Sequence, residues 1–190
     1  MTAYARVSGK LAAPAPVLVI DSREQAPLPF SELATRPGTL IAGDYSIAGA
    51  QTLFSCERKT IPDLVTCCTS ERERFERELV RLRGFRFKRL VIIGSESDIL
   101  QGKFRSLANP KAVLATLYCF EVRYDLPFQF CATPEIAGRL VERWATWFSR
   151  ELYKYAGSLL EGSQIESAQL AKAERQNRQS NGNTTDSRID

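Results

Sequence analysis

Histidine is absent from all 190 residues. That excludes His-dependent triads and imidazole metal sites, and leaves carboxylates, Lys and Tyr for acid–base or metal chemistry. A carboxylate-only site favours hard ions, Mg2+ or Mn2+. Cysteine is sparse: the five thiols never form a C-x-x-C pair, so a cysteine zinc site is not expected. They read as small hydrophobes in a reducing, cytoplasmic setting, or the nucleus if the source is eukaryotic. No apolar run approaches the roughly 18 residues of a membrane span, and prolines break the opening "MTAYARVSGKLAAPAPVLVI". Neither a signal peptide nor a membrane partner is expected. The net charge of +4 permits nucleic-acid binding without arguing for it.

What is present reads as one α/β domain with a mixed sheet covered by helices. Residues 1–15 read as a flexible leader, 16–160 as the folded domain, and 161–190 as a polar, disordered tail beyond a frayed helix. Strands are predicted at "VLVID", at "TLIAGDYSI" with an interruption at Gly43, at "QTLFSCERK", at "KRLVIIG" and, as an edge strand, at "LPFQFCAT". "RPG" reads as loop punctuation. Helices are predicted over Pro62 to Cys68, from Ser70 as N-cap to Gly84, from Pro110 to Tyr124, and from Pro134 onward. In the last, Trp144, Trp147, Phe148 and Tyr155 serve equally as a core-facing stripe or as half of a dimer interface.

The segment "LFSCERK" places Glu57 and Lys59 two residues apart, hence on one strand face. A Glu there can hold a divalent ion, and a Lys can orient or deprotonate water or offset charge on a phosphate. One carboxylate holds Mg2+ poorly. Asp44, beside Gly43 on the preceding strand, is the candidate second ligand, and Asp21 a candidate third. Bland readings stay open: a solvated strand end at Glu57-Arg58-Lys59, a turn Asp at Asp44, and a helix-capping role for Asp63. "SERERFERELVRLR" fits a solvated helix with Arg72–Glu76 and Glu73–Arg77 pairs. Yet Arg74, Arg77 and Arg81 share a face that can track a phosphate backbone, and Arg72 is a further candidate DNA contact.

Together, Gly43-Asp44, Glu57-Arg58-Lys59 and Asp63 resemble the G-D-x(n)-E-R-K-x-x-x-D hallmark of the XPF-like structure-specific DNA endonucleases. "VIDSRE" matches that family's D-x-R-E with Asp21, Arg23 and Glu24, and "SERERFEREL" supplies Arg72, Arg74 and Phe75. The resemblance implies a restriction-endonuclease-like fold and Mg2+- or Mn2+-dependent hydrolysis of DNA at branches or single-strand/double-strand junctions, in repair, recombination or replication. It implies Asp44, Glu57 and the Arg58 main-chain carbonyl as ligands, with Lys59 assisting the attacking water. Asp21 and Asp63 would support the metal, and Arg23 and Glu24 the site. Where the family often has Gln after its Arg-aromatic pair, the nearest residue here is Glu78. The family's tandem helix-hairpin-helix module and fused helicase have no counterpart in the resemblance, so a homodimer or a DNA-gripping protein partner is expected. The alternative is a catalytically idle nuclease-fold subunit that binds DNA or dimerises.

Overall fold

The computed structural model describes residues 6–7, 10–11 and 13–182, with side chains over 13–176. Two compact units divide the chain, one of residues 14–149 and one of residues 1–13 with 150–190. In the second unit β1 (Arg6–Val7) and β2 (Lys10–Leu11) pair antiparallel within the predicted leader, most of which lies outside the described residues.

The unit of residues 14–149 is built on a mixed six-stranded sheet. Its strands are β3 (Leu18–Asp21), β4 (Thr35–Gly38), β5 (Tyr45–Ile47), β6 (Phe54–Thr60), β7 (Phe87–Ile93) and β8 (Phe128–Cys131). They lie in the order β4-β3-β5-β6-β7-β8. β5 runs antiparallel to β3 and β6, while β3–β4, β6–β7 and β7–β8 are parallel. The expected α/β mixed sheet is therefore present, and β8 sits at its edge as predicted.

"TLIAGDYSI" does not form one strand. Only Tyr45–Ile47 pairs, because residues 41–44 bend and Gly43 takes a left-handed φ of 78°. The missed strand is β4, where "RPG" was expected as a loop. Pro37 is tolerated there because β4 is an edge with one side unpaired.

Helices α1 (Ile61–Cys68), α2 (Arg72–Leu82), α3 (Glu96–Leu100) and α4 (Pro110–Tyr124) follow, then α5 (Pro134–Gly182). α1 starts at a capping box: Thr60 Oγ1 accepts from the Asp63 N–H, and Asp63 accepts from the Thr60 N–H. Ser70, the predicted N-cap of α2, does not cap it. Residues 71 and 72 still donate to Thr66 and Thr69 at the end of α1, so α2 begins later, with no side-chain cap. α3 carries its own signal, Ser95 and Asp98 in a second capping box. α5 continues through Gly182, past the point where the polar tail was expected to begin. Its Ala, Leu, Gln, Glu and Lys residues are good helix formers, and no proline interrupts them after Pro134.

One core joins α1, α2, α3 and α4 to β7 through Leu64, Phe75, Leu79, Leu90, Ile92 and Phe120. Phe87 belongs to the opposite side chain set of β7. It stacks on Phe54 and meets Trp144 and Phe148 of α5. Of the aromatic stripe, Trp144 and Phe148 face the sheet as the core reading expects, and Trp147 and Tyr155 are exposed. All five cysteines are free thiols, four of them buried. No helix of the described residues is long and apolar enough to cross a membrane.

α5 is pinned to the loop after β3 by two residues one turn apart. Gly138 leaves room for the Pro29 carbonyl, which lies 2.1 Å from where a Cβ would sit. Glu142, buried, accepts the N–H groups of Ser31, Glu32 and Leu33 at 2.9, 2.7 and 3.0 Å on one oxygen. Truncating it strands three amides under the helix. Glu142→Ala is expected to lower the unfolding free energy by about 3 kcal/mol, measured by urea titration. A change within experimental scatter would show that water replaces the carboxylate.

Candidate active site

The site grows from the register of β6. Glu57 and Lys59 emerge on the same face, as period-two geometry requires, and Lys59 Nζ donates to Glu57 Oε1. Glu57 is only 3% exposed. Phe75 of α2 forms the floor, its ring centroid 5.3 Å from Lys59 Nζ. The family resemblance singled out Phe75, but its place beneath Lys59 comes from packing.

Asp44 reaches the same place because Gly43 lets the chain press against β6. A Cβ on Gly43 would lie 2.1 Å from Ser55 Oγ and 3.0 Å from the Cys56 carbonyl. The Asp44 N–H donates to the Cys56 carbonyl at 2.8 Å, and its Oδ2 accepts the Arg58 N–H at 2.7 Å. The motif therefore closes in space.

Burial dominates the electrostatics. It pushes the Asp44 carboxyl up to about 6, despite the Arg58 amide and the Lys59 charge, which pull the other way. Burial, with the neighbouring Asp44 charge, also raises Glu57 well above the usual carboxylate range. Burial alone would pull Lys59 down, but the Glu57 carboxylate outweighs it and holds the ammonium above the usual lysine range.

The remaining predicted residues divide into near and far. Glu24 accepts from Arg58 at 3.0 and 3.3 Å, which holds the Arg58 side chain beside Asp44. Asp21, expected as a metal ligand, anchors a loop. Its two oxygens accept from the Arg23 amide and guanidinium and from the Leu40 N–H, at 2.7–3.0 Å. The Arg23 side-chain bond is the main reason its pKa falls to about 2. Arg23 also donates to the Leu40 carbonyl. Asp63 is exposed and occupied in the α1 capping box, where its Oδ2 accepts from the Thr60 hydroxyl at 2.6 Å.

On α2, Arg72 pairs with Glu76 at 3.0 Å and lies over Phe120, so it joins α2 to α4. Arg74 pairs with Glu71 at 2.6 Å and stays exposed. The expected Glu73–Arg77 pair is not formed among the described residues, and Arg77 and Arg81 are exposed.

Among the described residues, no three acidic, cysteine or histidine groups stand close enough to hold one ion as they are. The donor set nevertheless fits a hard divalent cation. Glu57 Oε2 is buried and has no hydrogen-bond partner among the described residues. A second buried carboxylate, Asp44, adjoins it, and one ammonium faces both. A buried carboxyl oxygen without a partner is costly, and a cation that met it would favour the ionised form that burial disfavours.

A family model described as the ERCC4 domain matches residues 20–143, which include Asp44, Glu57 and Lys59. XPF from Aeropyrum pernix has a similar solved structure: TM-score 0.58 and 19% identity, over 79% of this chain and 73% of that one. XPF from Aeropyrum pernix in complex with DNA gives a TM-score of 0.56 at 19% identity, over 72% of this chain and 66% of that one, just under two thirds. At such identity the likeness is one of fold. Comparison with curated protein sequences gives no significant match.

The burial of Asp44 has a consequence for stability in EDTA. A carboxyl raised from 3.8 to about 6 in the folded chain keeps a proton that unfolding releases. Its contribution is complete below about pH 4 and is lost as pH rises through about 6. Glu57 acts in the same direction. The thermal midpoint in EDTA is expected to fall between about pH 4.5 and 7, and Asp44→Asn to flatten the fall. A midpoint that rises over this range, or the same fall in Asp44→Asn, would contradict the assignment.

Proposed function

The chain belongs to the ERCC4-domain family, and from that membership we propose that it is a metal-dependent DNA endonuclease. The observation that carries the reading is the buried, unpartnered Glu57 Oε2 next to Asp44 and Lys59. The related XPF structure in complex with DNA supports DNA as the substrate class.

Asp44 and Glu57, with the Arg58 main-chain carbonyl, would hold Mg2+ or Mn2+. Bound there, the ion supplies a Lewis acid at the phosphoryl oxygen and lowers the pKa of its water. Lys59, kept protonated by Glu57, acts as a donor rather than a base: it orients the attacking water and offsets charge developing on the phosphate. Arg58 fixes Asp44 through its amide and Glu24 through its guanidinium. Arg23 and Asp21 hold the loop at Leu40, and Asp63 holds the start of α1 directly after Lys59.

Arg74, Arg77 and Arg81 present an exposed basic face for the phosphate backbone. Branched or single-strand/double-strand junction DNA is the proposed substrate, gripped with the help of a second copy or a partner protein.

Linear, flap, fork and four-way-junction DNA, each incubated with Mg2+, Mn2+ or EDTA, test the proposal. Cleavage is expected with either ion and none in EDTA. Glu57→Ala and Lys59→Ala are expected to lose at least about a hundredfold in rate while keeping a cooperative unfolding transition. Cutting by both variants at the wild-type rate would sink the reading. Cleavage by neither wild type nor variants, with DNA binding retained, would favour the idle subunit. Arg77→Ala and Arg81→Ala are expected each to reduce the salt slope of DNA binding by about 1.

A further inference from the structure

β8 ends the sheet and leaves its outer side open. It pairs with β7 on one side and with no strand of the described residues on the other. The Pro127 and Cys131 carbonyls accept from Leu90 of β7 and from Gly94 just after it, at 3.0 and 2.8 Å. Backbone direction alternates along a strand, so the N–H and C=O groups of Phe128 and Phe130 point away from β7. The Phe130 carbonyl accepts from the side-chain amide of Gln129 at 3.1 Å, in place of a backbone donor. The other edge of the sheet, β4, is blunted by Arg36 and Pro37. β8, Phe-Gln-Phe-Cys, holds neither a proline nor a charge.

α5 flanks this open edge. A groove of about 440 Å3 lies between the two, within the size range of ligand clefts. Cys131, Ile136 and Leu140 give it apolar walls, and Arg139 and Arg143 line it as well. Both arginines are exposed, and neither forms an ion pair among the described residues. The acids near them on α5 are already engaged, Glu135 by the Thr133 side chain and Glu142 by the amides of residues 31–33. The opposite face of β8 is apolar. Phe128 and Phe130 are half-buried and meet edge to face with centroids 5.7 Å apart, and the exposed Tyr118 of α4 meets Phe128 at 5.4 Å.

We propose that the β8 edge is a docking site for an extended acidic segment of a partner protein, which adds a strand to the sheet. Its backbone takes up the outward groups of Phe128 and Phe130 and displaces the Gln129 side chain. Alternate residues of such a strand face α5 and lie roughly 7 Å apart. Arg139 and Arg143 are separated by about 6 Å along α5. Acids at alternate positions therefore match the two guanidiniums, and apolar residues between them meet Phe128, Phe130 and Tyr118. DNA would use the arginines but has no use for the strand edge or the apolar face. A second copy of β8 carries no acid, so it answers the geometry and not the charge. No residue of the Asp44, Glu57 and Lys59 centre takes part.

The test is fluorescence polarisation of the full chain with a fluorescein-labelled peptide centred on Val-Asp-Val-Asp-Val, beside a control centred on Val-Lys-Val-Lys-Val. The acidic peptide is expected to bind with a micromolar Kd, and the lysine peptide at least about tenfold more weakly. The double substitution Arg139→Glu and Arg143→Glu, at two exposed positions outside the core, is expected to weaken the acidic peptide about tenfold. Two forms of the acidic peptide, N-methylated at one or the other set of alternate residues, should differ at least about tenfold, because only one set of amides faces β8. No binding up to about 1 mM, unchanged affinity in the double variant, or equal affinity of the two methylated peptides overturns the inference. Displacement of the peptide by single-stranded DNA, with the same loss in the double variant, assigns the edge to nucleic acid and overturns it too. Sedimentation as a dimer that the double variant dissociates assigns the edge to a second copy and does the same.

Discussion

Two hydrogen bonds tie Asp44 to β6, one from its amide to the Cys56 carbonyl and one from the Arg58 amide to its carboxylate. The site depends on this junction. It needs a residue without a Cβ immediately before Asp44, because Ser55 and the Cys56 carbonyl occupy that space. It also needs the left-handed turn that Gly43 adopts at φ 78°. With both met, a loop carboxylate stands beside a strand carboxylate thirteen residues later in the chain. The sheet places β6 between β5 and β7, so the pair is buried rather than solvated.

Burial gives the pair its character and its cost. Two carboxylates raised above their ordinary range, and a lysine kept charged by one of them, form a local arrangement that is destabilising on its own. Around it two acids are paired with cations, Asp21 with Arg23 and Glu24 with Arg58, and Asp63 is hydrogen-bonded by the amide and hydroxyl of Thr60. These pairs position loops and strand ends. The centre, by contrast, keeps an unmet negative oxygen. Glu142 Oε2, under α5, is the other buried side-chain oxygen without a partner among the described residues, but there the second oxygen of the same carboxylate takes three amides, whereas at Glu57 a second carboxyl and an ammonium adjoin.

Much of this was legible along the chain. Period-two alternation put Glu57 and Lys59 on one face, and the missing histidines narrowed any metal ligands to carboxylates. The Gly-Asp pair announced a close approach, which the structure contains. Asp63 was readable both as a cap and as a site acid, and its geometry is that of a cap. Other features were illegible for identifiable reasons. Ser70 looked like an N-cap, but the carbonyls at the end of α1 had already captured the following amides. "TRPG" carries a proline and reads as a loop until the sheet edge makes its missing N–H harmless. For Asp21, a candidate third ligand at a strand end, the sequence did not show what its oxygens already hold. The guanidinium two residues on folds back and fills its oxygens.

The sequence by itself determined the inventory and the local geometry: which side chains could hold a cation, which two share a strand face, where one glycine must turn. Those properties follow from residue type and backbone period, which are local. Tertiary structure decided which carboxylates are buried together and which are already paired. It placed Phe75 under Lys59 and set Trp144 and Phe148 against the sheet. Burial and Coulomb interaction depend on distances between segments far apart in the chain, and those distances exist only once the sheet has ordered its strands.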